Sequence, residues 1–332
     1  MYRMNRLWIS ALALGALALS IGVAACGSSS NNLSLIAYST PQDAYAQIIP
    51  AFQKTSAGKG VSFSQSYGAS GDQERAVEAG LSADVVALSL APDVDKLVKA
   101  GKVAADWNKG RYQGFVTNSV VVFATRKGNP KNIKTWDDLL KPGIEVITPN
   151  PFSSGGARWN VMAAYGAQIQ QGKTPQQALD YLKQLFKHVP VQDKSARDSV
   201  QTFLGGKGDV LLAYENEAIN AQQKGQSLDY TIPAQTILIQ NPVAVTKNSK
   251  HATEARSFVD FLTTPEAQKL YASKGYRPVV ASLVDKTKFP TPPGLFKIDK
   301  LGGWSKVNDE FFDPDKGKVA AIEKSIGVST AK

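Results

Sequence analysis

Ile147-Thr148-Pro149-Asn150-Pro151-Phe152-Ser153-Ser154-Gly155-Gly156-Ala157-Arg158-Trp159-Asn160 passes from an apolar strand-like run through a Ser/Gly turn into a helical pattern. Ile144–Thr148 reads as a strand, and the helical spacing resumes over Trp159–Gln171. Such strand-to-helix junctions mark the carboxyl edge of an α/β sheet, where ligands bind. The turn has a serine at the capping position and two glycines that let a ligand approach the backbone closely.

Three more junctions of this kind occur. Tyr38-Ser39-Thr40-Pro41-Gln42-Asp43 follows the strand Leu33–Tyr38, with Thr40 as the expected N-cap and Pro41 at the first helical position. Ser66-Tyr67-Gly68-Ala69-Ser70-Gly71-Asp72-Gln73 follows Val61–Ser66, with Ser70 as the expected cap. Lys194-Ser195-Ala196-Arg197-Asp198 leads into a helix that runs through Phe203. A helix N-terminus presents unpaired N–H groups and the positive end of the macrodipole. Several of them converging form an anion site without any charged side chain.

Outward from the junctions, strands and helices alternate. Further strands are expected at Ala83–Leu90, Val116–Thr125, Val189–Gln192, Asp209–Tyr214 and Asn241–Thr246. Helices are expected to open at Trp136–Leu140 and to cover Glu254–Leu262 and Glu266–Ser273. This is an α/β chain with largely parallel sheets. The two strands VTNSVVVFAT and NPVAVT suit a chain that leaves one lobe and later returns. Lobe 1 is accordingly read as 34–118 plus 245–332, and lobe 2 as 119–244. The stretch 283–332 reads as a tail packing across the lobes.

The first residues read as a targeting segment. Arg3 and Arg6 precede an apolar run, and Val23-Ala24-Ala25-Cys26 places small residues before the chain's one cysteine. Residues 1–25 are therefore expected to be a signal peptide and Cys26 a lipidated first residue. Residues 26–33 would be a tether holding a soluble body outside the cytoplasm.

The composition narrows the chemistry. Of 332 residues, 43% are apolar and 20% charged, which is globular. The net charge of +10 falls to +8 once Arg3 and Arg6 are removed with the signal. The basic residues are dispersed, so no nucleic-acid partner is expected. One cysteine and two histidines, His188 and His251, exclude a cysteine zinc site and an internal disulfide. They also leave no expected metal or cofactor. Gly68-Ala69-Ser70-Gly71-Asp72 lacks the last glycine of a nucleophile elbow, and no P-loop is present. Asp137/Asp138 read as a helix first turn and Glu215/Glu217 as solvated or ion-paired. No catalytic residue is assigned. A secreted serine hydrolase, a ferric-iron binder using Tyr214 and an adhesin remain as alternatives.

Together these residues resemble a family. SYGASGDQ at 66–73, ITPNPFSSGGARWN at 147–160, RKGNPKNIKTWDDLLKPG at 126–143, GDVLLAYENEA at 208–218 and LGGWSKV at 301–307 are similar to the motifs of the sulfate/thiosulfate-binding proteins. These are extracytoplasmic solute-binding proteins of ABC importers. The similarity runs from about residue 35 to 310. It implies a type II Venus-flytrap fold, a central sheet in each lobe, a hinge between them, and no enzymatic activity. The ligand would be sulfate, with thiosulfate, molybdate or a phosphate-type oxyanion as alternatives. The partners would be the permease subunits of the importer and the membrane through the lipid, with the protein itself a monomer.

Carried over residue by residue, the resemblance implies contacts from Ser39, Ser70, Ser154, Gly155, Gly156, Ala196 and Tyr214. Arg158, Arg197 and Gly71 would support these loops from behind. Two positions depart from the family pattern: Ser39 stands where Asp is usual, and Tyr214 where Trp is common. A site of donors alone favours sulfate over a protonated phosphate, because an unmatched buried proton is costly.

Overall fold

The computed structural model describes residues 31–328 and residue 330. The expected signal peptide and Cys26 lie outside the described residues.

The elements in chain order begin with β1 (Asn31–Tyr38), α1 (Gln42–Gln53), β2 (Val61–Gly68), α2 (Ser70–Glu78), β3 (Val85–Ala87) and α3 (Ala91–Lys99). They continue with β4 (Phe115–Arg126), β5 (Val146–Ile147), α4 (Gly155–Gln170), α5 (Pro175–Lys187), α6 (Ala196–Leu204), β6 (Val210–Tyr214) and α7 (Glu215–Gln223). Then come β7 (Leu228–Thr231), β8 (Gln235–Val245), α8 (Ala252–Phe261), α9 (Pro265–Ser273) and β9 (Arg277–Pro278). The chain finishes with β10 (Gly294–Phe296), α10 (Gly303–Phe311) and α11 (Lys318–Ser325).

The strands order as β2-β1-β3-β8-β4-β6-β5, with β10 on β8 and both β7 and β9 on β4. β1 pairs in parallel with β2 and β3, and β5 with β6. β4 runs antiparallel to β6, β7, β8 and β9, and β8 antiparallel to β3. The sheet is therefore mixed rather than largely parallel. The two long strands β4 and β8 make the difference: β8 runs against both β3 and β4, and β4 against β6 and β7. β4 pairs with β8 from Phe115 to Val120 and with β6 from Val121 to Thr125.

Apolar residues cover both faces of each half. Around β1 and β3, one cluster gathers Leu33, Ile48, Phe52, Phe258 and Tyr271, and another Ile36, Val86, Val94 and Leu97. Around β4 and β6, one gathers Phe123, Trp136, Trp159 and Leu182, and the other Val122, Phe203 and Leu211. α4 is buried along nearly its whole length, as an all-round apolar helix must be. The tail residues Phe296, Val307, Phe311 and Val319 pack with α4 and α5.

Several expected boundaries move. β1 begins at Asn31, inside the expected tether, because Asn31 and Asn32 pair with Val61 and Ser62. Ala83–Leu90 contracts to Val85–Ala87: at Asp84 the side-chain Oδ2, not the backbone carbonyl, accepts the Ser34 N–H, and Leu88–Leu90 lead into α3. β8 starts six residues before Asn241. Val189–Gln192 forms no strand, since Pro190 has no N–H to give a ladder. Trp136–Leu140 is a 3₁₀ turn, closed by a capping box between Thr135 and Asp138.

Candidate functional site

β1, β2 and β3 run one way through the sheet and β5 and β6 the other, so the carboxyl ends of the two sets, with the turns that lead into α1, α2, α3 and α4, face one another. Those turns and the N-terminus of α6 enclose a small cavity. It is lined by Ser39, Ser70, Ser154, Gly155, Gly156 and Ala196, together with Tyr38, Thr40, Gly68, Ala69 and Ser89. Six of the residues expected from the sequence are thus side by side. No Asp, Glu, Lys or Arg is among the lining residues.

Each junction has its own local chemistry. Ser154 caps α4, its Oγ accepting from Ala157 N–H at 3.4 Å. Ser195 caps α6, accepting from Asp198 N–H at 3.2 Å. The amides of Gly155, Gly156 and Ala196 stand in the first turns of these helices, where no intrahelical acceptor exists. The glycines are held by contact: a Cβ on Gly155 would lie 2.7 Å from Ser89 Cβ and 3.0 Å from Leu90 Cγ. On Gly156 it would lie 3.3 Å from Ala196 Cβ.

Two expected caps are absent. Thr40 makes no cap bond to α1, and its buried Oγ1 has no hydrogen-bond partner. Ser70 does not cap α2, which it opens itself, with Ala69 as the flanking residue. Its Oγ instead donates to Asp93 Oδ2 at 2.7 Å and accepts from Ser89 N–H at 2.9 Å. Asp93 is buried and shares Lys96 with the buried Glu74. Burial raises the Glu74 carboxyl, opposed by Lys96.

Tyr214 is not among the lining residues. Its phenol is buried, and its Oη lies 2.7 Å from Ser89 Oγ. Burial pushes it well above the ordinary tyrosine range. Gly71 also lies behind the cavity, its N–H donating to Ser153 O at 3.1 Å and so tying α2 to the turn before α4.

The two arginines brace loops. Arg158 is buried; Nε donates to Pro151 O at 2.8 Å and Nη1 to Asn308 Oδ1 at 3.2 Å, with the guanidinium over the Phe312 ring. Arg197 donates to Thr40 O at 3.1 Å and to Asp43 Oδ2 at 3.0 Å, and lies 3.6 Å from the buried Glu217. Asp43 also accepts from Asn220 at 2.7 Å and Lys224 at 2.7 Å. Burial raises the Asp43 carboxyl, but Lys224, Asn220 and Arg197 outweigh it and hold it at about 2. Glu215, expected to be solvated or ion-paired, is fully buried and takes a bidentate pair from Arg277 at 2.6 and 2.9 Å.

Ser89 was not anticipated. It stands at the end of an apolar run and carries no local signature, so only the return of β8, α4 and α2 around it reveals its position.

A cavity of amides and hydroxyls where the carboxyl ends of opposed strands meet is built to hold a solute. The chain belongs to the bacterial extracellular solute-binding protein family, whose model matches residues 33–277. It is 46% identical to the sulfate-binding protein of Synechococcus elongatus, over 92% of this chain and 93% of that one. It is 40% identical to the sulfate-binding protein of Escherichia coli, over 83% and 88%. It is 33% identical to the thiosulfate-binding protein of Pseudomonas aeruginosa, over 93% and 96%. Among solved structures, the sulfate-binding protein SubI of Mycobacterium tuberculosis superposes with a TM-score of 0.83 at 44% identity, covering 85% of this chain and 99% of that one. The periplasmic thiamin-binding protein, at 17% identity and a TM-score of 0.67, shares the fold.

Proposed function

We propose that this protein captures sulfate outside the cytoplasm and delivers it to the permease of an ABC importer. The observation that carries the reading is the cavity itself: five junctions meet in a space lined by amides and hydroxyls, with no carboxylate among the lining residues. Sulfate is fully deprotonated at neutral pH and only accepts hydrogen bonds. Hydrogen phosphate would bring a proton with no lining carboxylate to receive it. The sulfate-binding relatives at 40–46% identity support the same ligand. Thiosulfate, named for the relative at 33% identity, is the second reading.

In this reading Ser39, Ser70, Gly155, Gly156 and Ala196 supply N–H groups and Ser154 a hydroxyl, while Arg158, Arg197 and Gly71 hold the loops. Two lobes close on the ligand, joined where β4 and β8 cross between them. The proposed lobes are 34–118 plus 245–293, and 119–244 plus 294–332. The packing of Phe296 to Ile322 on α4 and α5 supports giving the tail to the second lobe. Cys26, freed of residues 1–25, carries the lipid, and the protein acts as a monomer.

Calorimetric titration with sulfate, thiosulfate, phosphate and molybdate tests the ligand. Sulfate is expected to bind most tightly. Phosphate binding without sulfate binding would overturn the specificity, and silence toward all four would overturn the reading. Expression of a Cys26→Ala variant tests the anchor, with release from the membrane fraction expected.

A further inference from the structure

Resting on the reading of the cavity as an oxyanion site, we infer that Ser89 is a ligand-binding residue and that Tyr214 acts on the anion through it. The backbone N–H, the carbonyl and the Oγ of Ser89 are all engaged. Its N–H donates to Ser70 Oγ at 2.9 Å. Its carbonyl accepts from Trp159 Nε1 at 3.0 Å and Asn241 Nδ2 at 3.1 Å. Its Oγ lies 2.7 Å from Tyr214 Oη.

The direction of that last bond follows from the surroundings. Tyr214 is buried, and a buried O–H without an acceptor is strongly disfavoured. The neighbouring Asn241 meets the phenol as a donor: its Oδ1 is turned to the Thr117 hydroxyl, and the bond it makes to Tyr214 stabilises the phenol oxygen as an N–H facing it does. With a donor facing it from Asn241, the phenol is assigned as the donor to Ser89 Oγ, 2.7 Å away. The Ser89 proton then turns to the side left open, which is the cavity that Ser89 lines.

This arrangement redistributes the donors expected from the sequence. The Ser70 hydroxyl proton is held by Asp93, so Ser70 offers the anion its amide alone. Ser89 supplies the second hydroxyl beside Ser154. Tyr214 can donate or accept in isolation. Locked as a donor to Ser89, it keeps the site rich in donors and preserves the preference for a fully deprotonated tetrahedral dianion.

A double-mutant cycle tests this. Wild type, Ser89→Ala, Tyr214→Phe and the double variant are titrated calorimetrically with sulfate and with phosphate at pH 8. Ser89→Ala is expected to weaken sulfate binding about 10- to 100-fold, and Tyr214→Phe about 3- to 10-fold. The double variant should be no weaker than Ser89→Ala, because Tyr214 has nothing left to act through. Both single changes should lower the ratio of sulfate to phosphate affinity, which a purely structural role would leave unmoved. Additive losses would mean that Tyr214 meets the anion directly, and wild-type affinity in Ser89→Ala would remove Ser89 from the site. Either result overturns the inference while sulfate still binds the wild type. Failure of the wild type to bind any oxyanion would instead defeat the reading beneath it. Thermal melts of the unliganded variants control for folding. If Ser89→Ala does not fold, an unchanged affinity and ratio in Tyr214→Phe overturns the inference alone.

Discussion

At the residue scale, the closeness of Gly155 to Ser89 makes the glycine irreplaceable. Even a methyl group there would press on Ser89 at 2.7–2.8 Å, displacing the hydroxyl that faces the cavity. Gly155→Ala is expected to weaken sulfate binding at least about tenfold, and Gly155→Asp to abolish it by placing a carboxylate among the donors. Calorimetry decides, and retained affinity in Gly155→Asp would put the anion elsewhere. The Ser154-Gly155-Gly156 turn was legible because capping and close approach are local properties of sequence. The roles of Ser70 and Tyr214 were not. Which way their hydroxyls turn depends on Asp93 and Ser89, which come from another part of the chain.

At the element scale, α11 carries a carboxylate where an apolar helix face meets the core. Glu323 is fully buried, Oε2 accepts from Gln192 at 2.7 Å, and Oε1 has no partner. Burial raises it from 4.5 to about 7, against the hydrogen bond from Gln192. A raised carboxyl favours the folded state at low pH. That advantage is complete below about pH 4.5 and is lost as the pH rises through 7. Glu323→Gln should remove this slope and stabilise the protein at pH 8 by about 1–3 kcal/mol, read from denaturant unfolding. A variant with the wild-type pH slope would contradict this. The elements themselves were largely legible from periodicity and caps. The exceptions have physical causes: Pro190 withholds a ladder donor, and the first half of β8 follows a Pro/Ala/Gln stretch that hides its alternation.

At the scale of the whole molecule, Asp43 at the start of α1 gathers Arg197 from α6 with Asn220 and Lys224 from α7. In the proposed two-lobe arrangement these contacts cross between lobes. A depressed carboxyl stabilises the folded state above its ordinary value. The stability is lost as the pH falls from about 4 towards 2. Asp43→Asn should flatten the melting curve in that window and weaken sulfate binding a few-fold at pH 7. The exposed lysine keeps the effect modest. Unchanged affinity would confine the cluster to stability. The α/β class was legible from the alternation of elements, but the mixed direction of the sheet was not. The antiparallel pairing of β4 and β8 links residues more than 100 positions apart, and no local pattern encodes it.

The indole of Trp159 holds the Ser89 carbonyl and stands edge-on to Trp304, with ring centroids 4.7 Å apart. A chromophore one hydrogen bond from the cavity floor senses what occupies it. Intrinsic emission should therefore shift in colour or yield as sulfate saturates the protein, and Trp159→Phe should silence most of that response. The binding protein carries its own optical gauge, readable without a label.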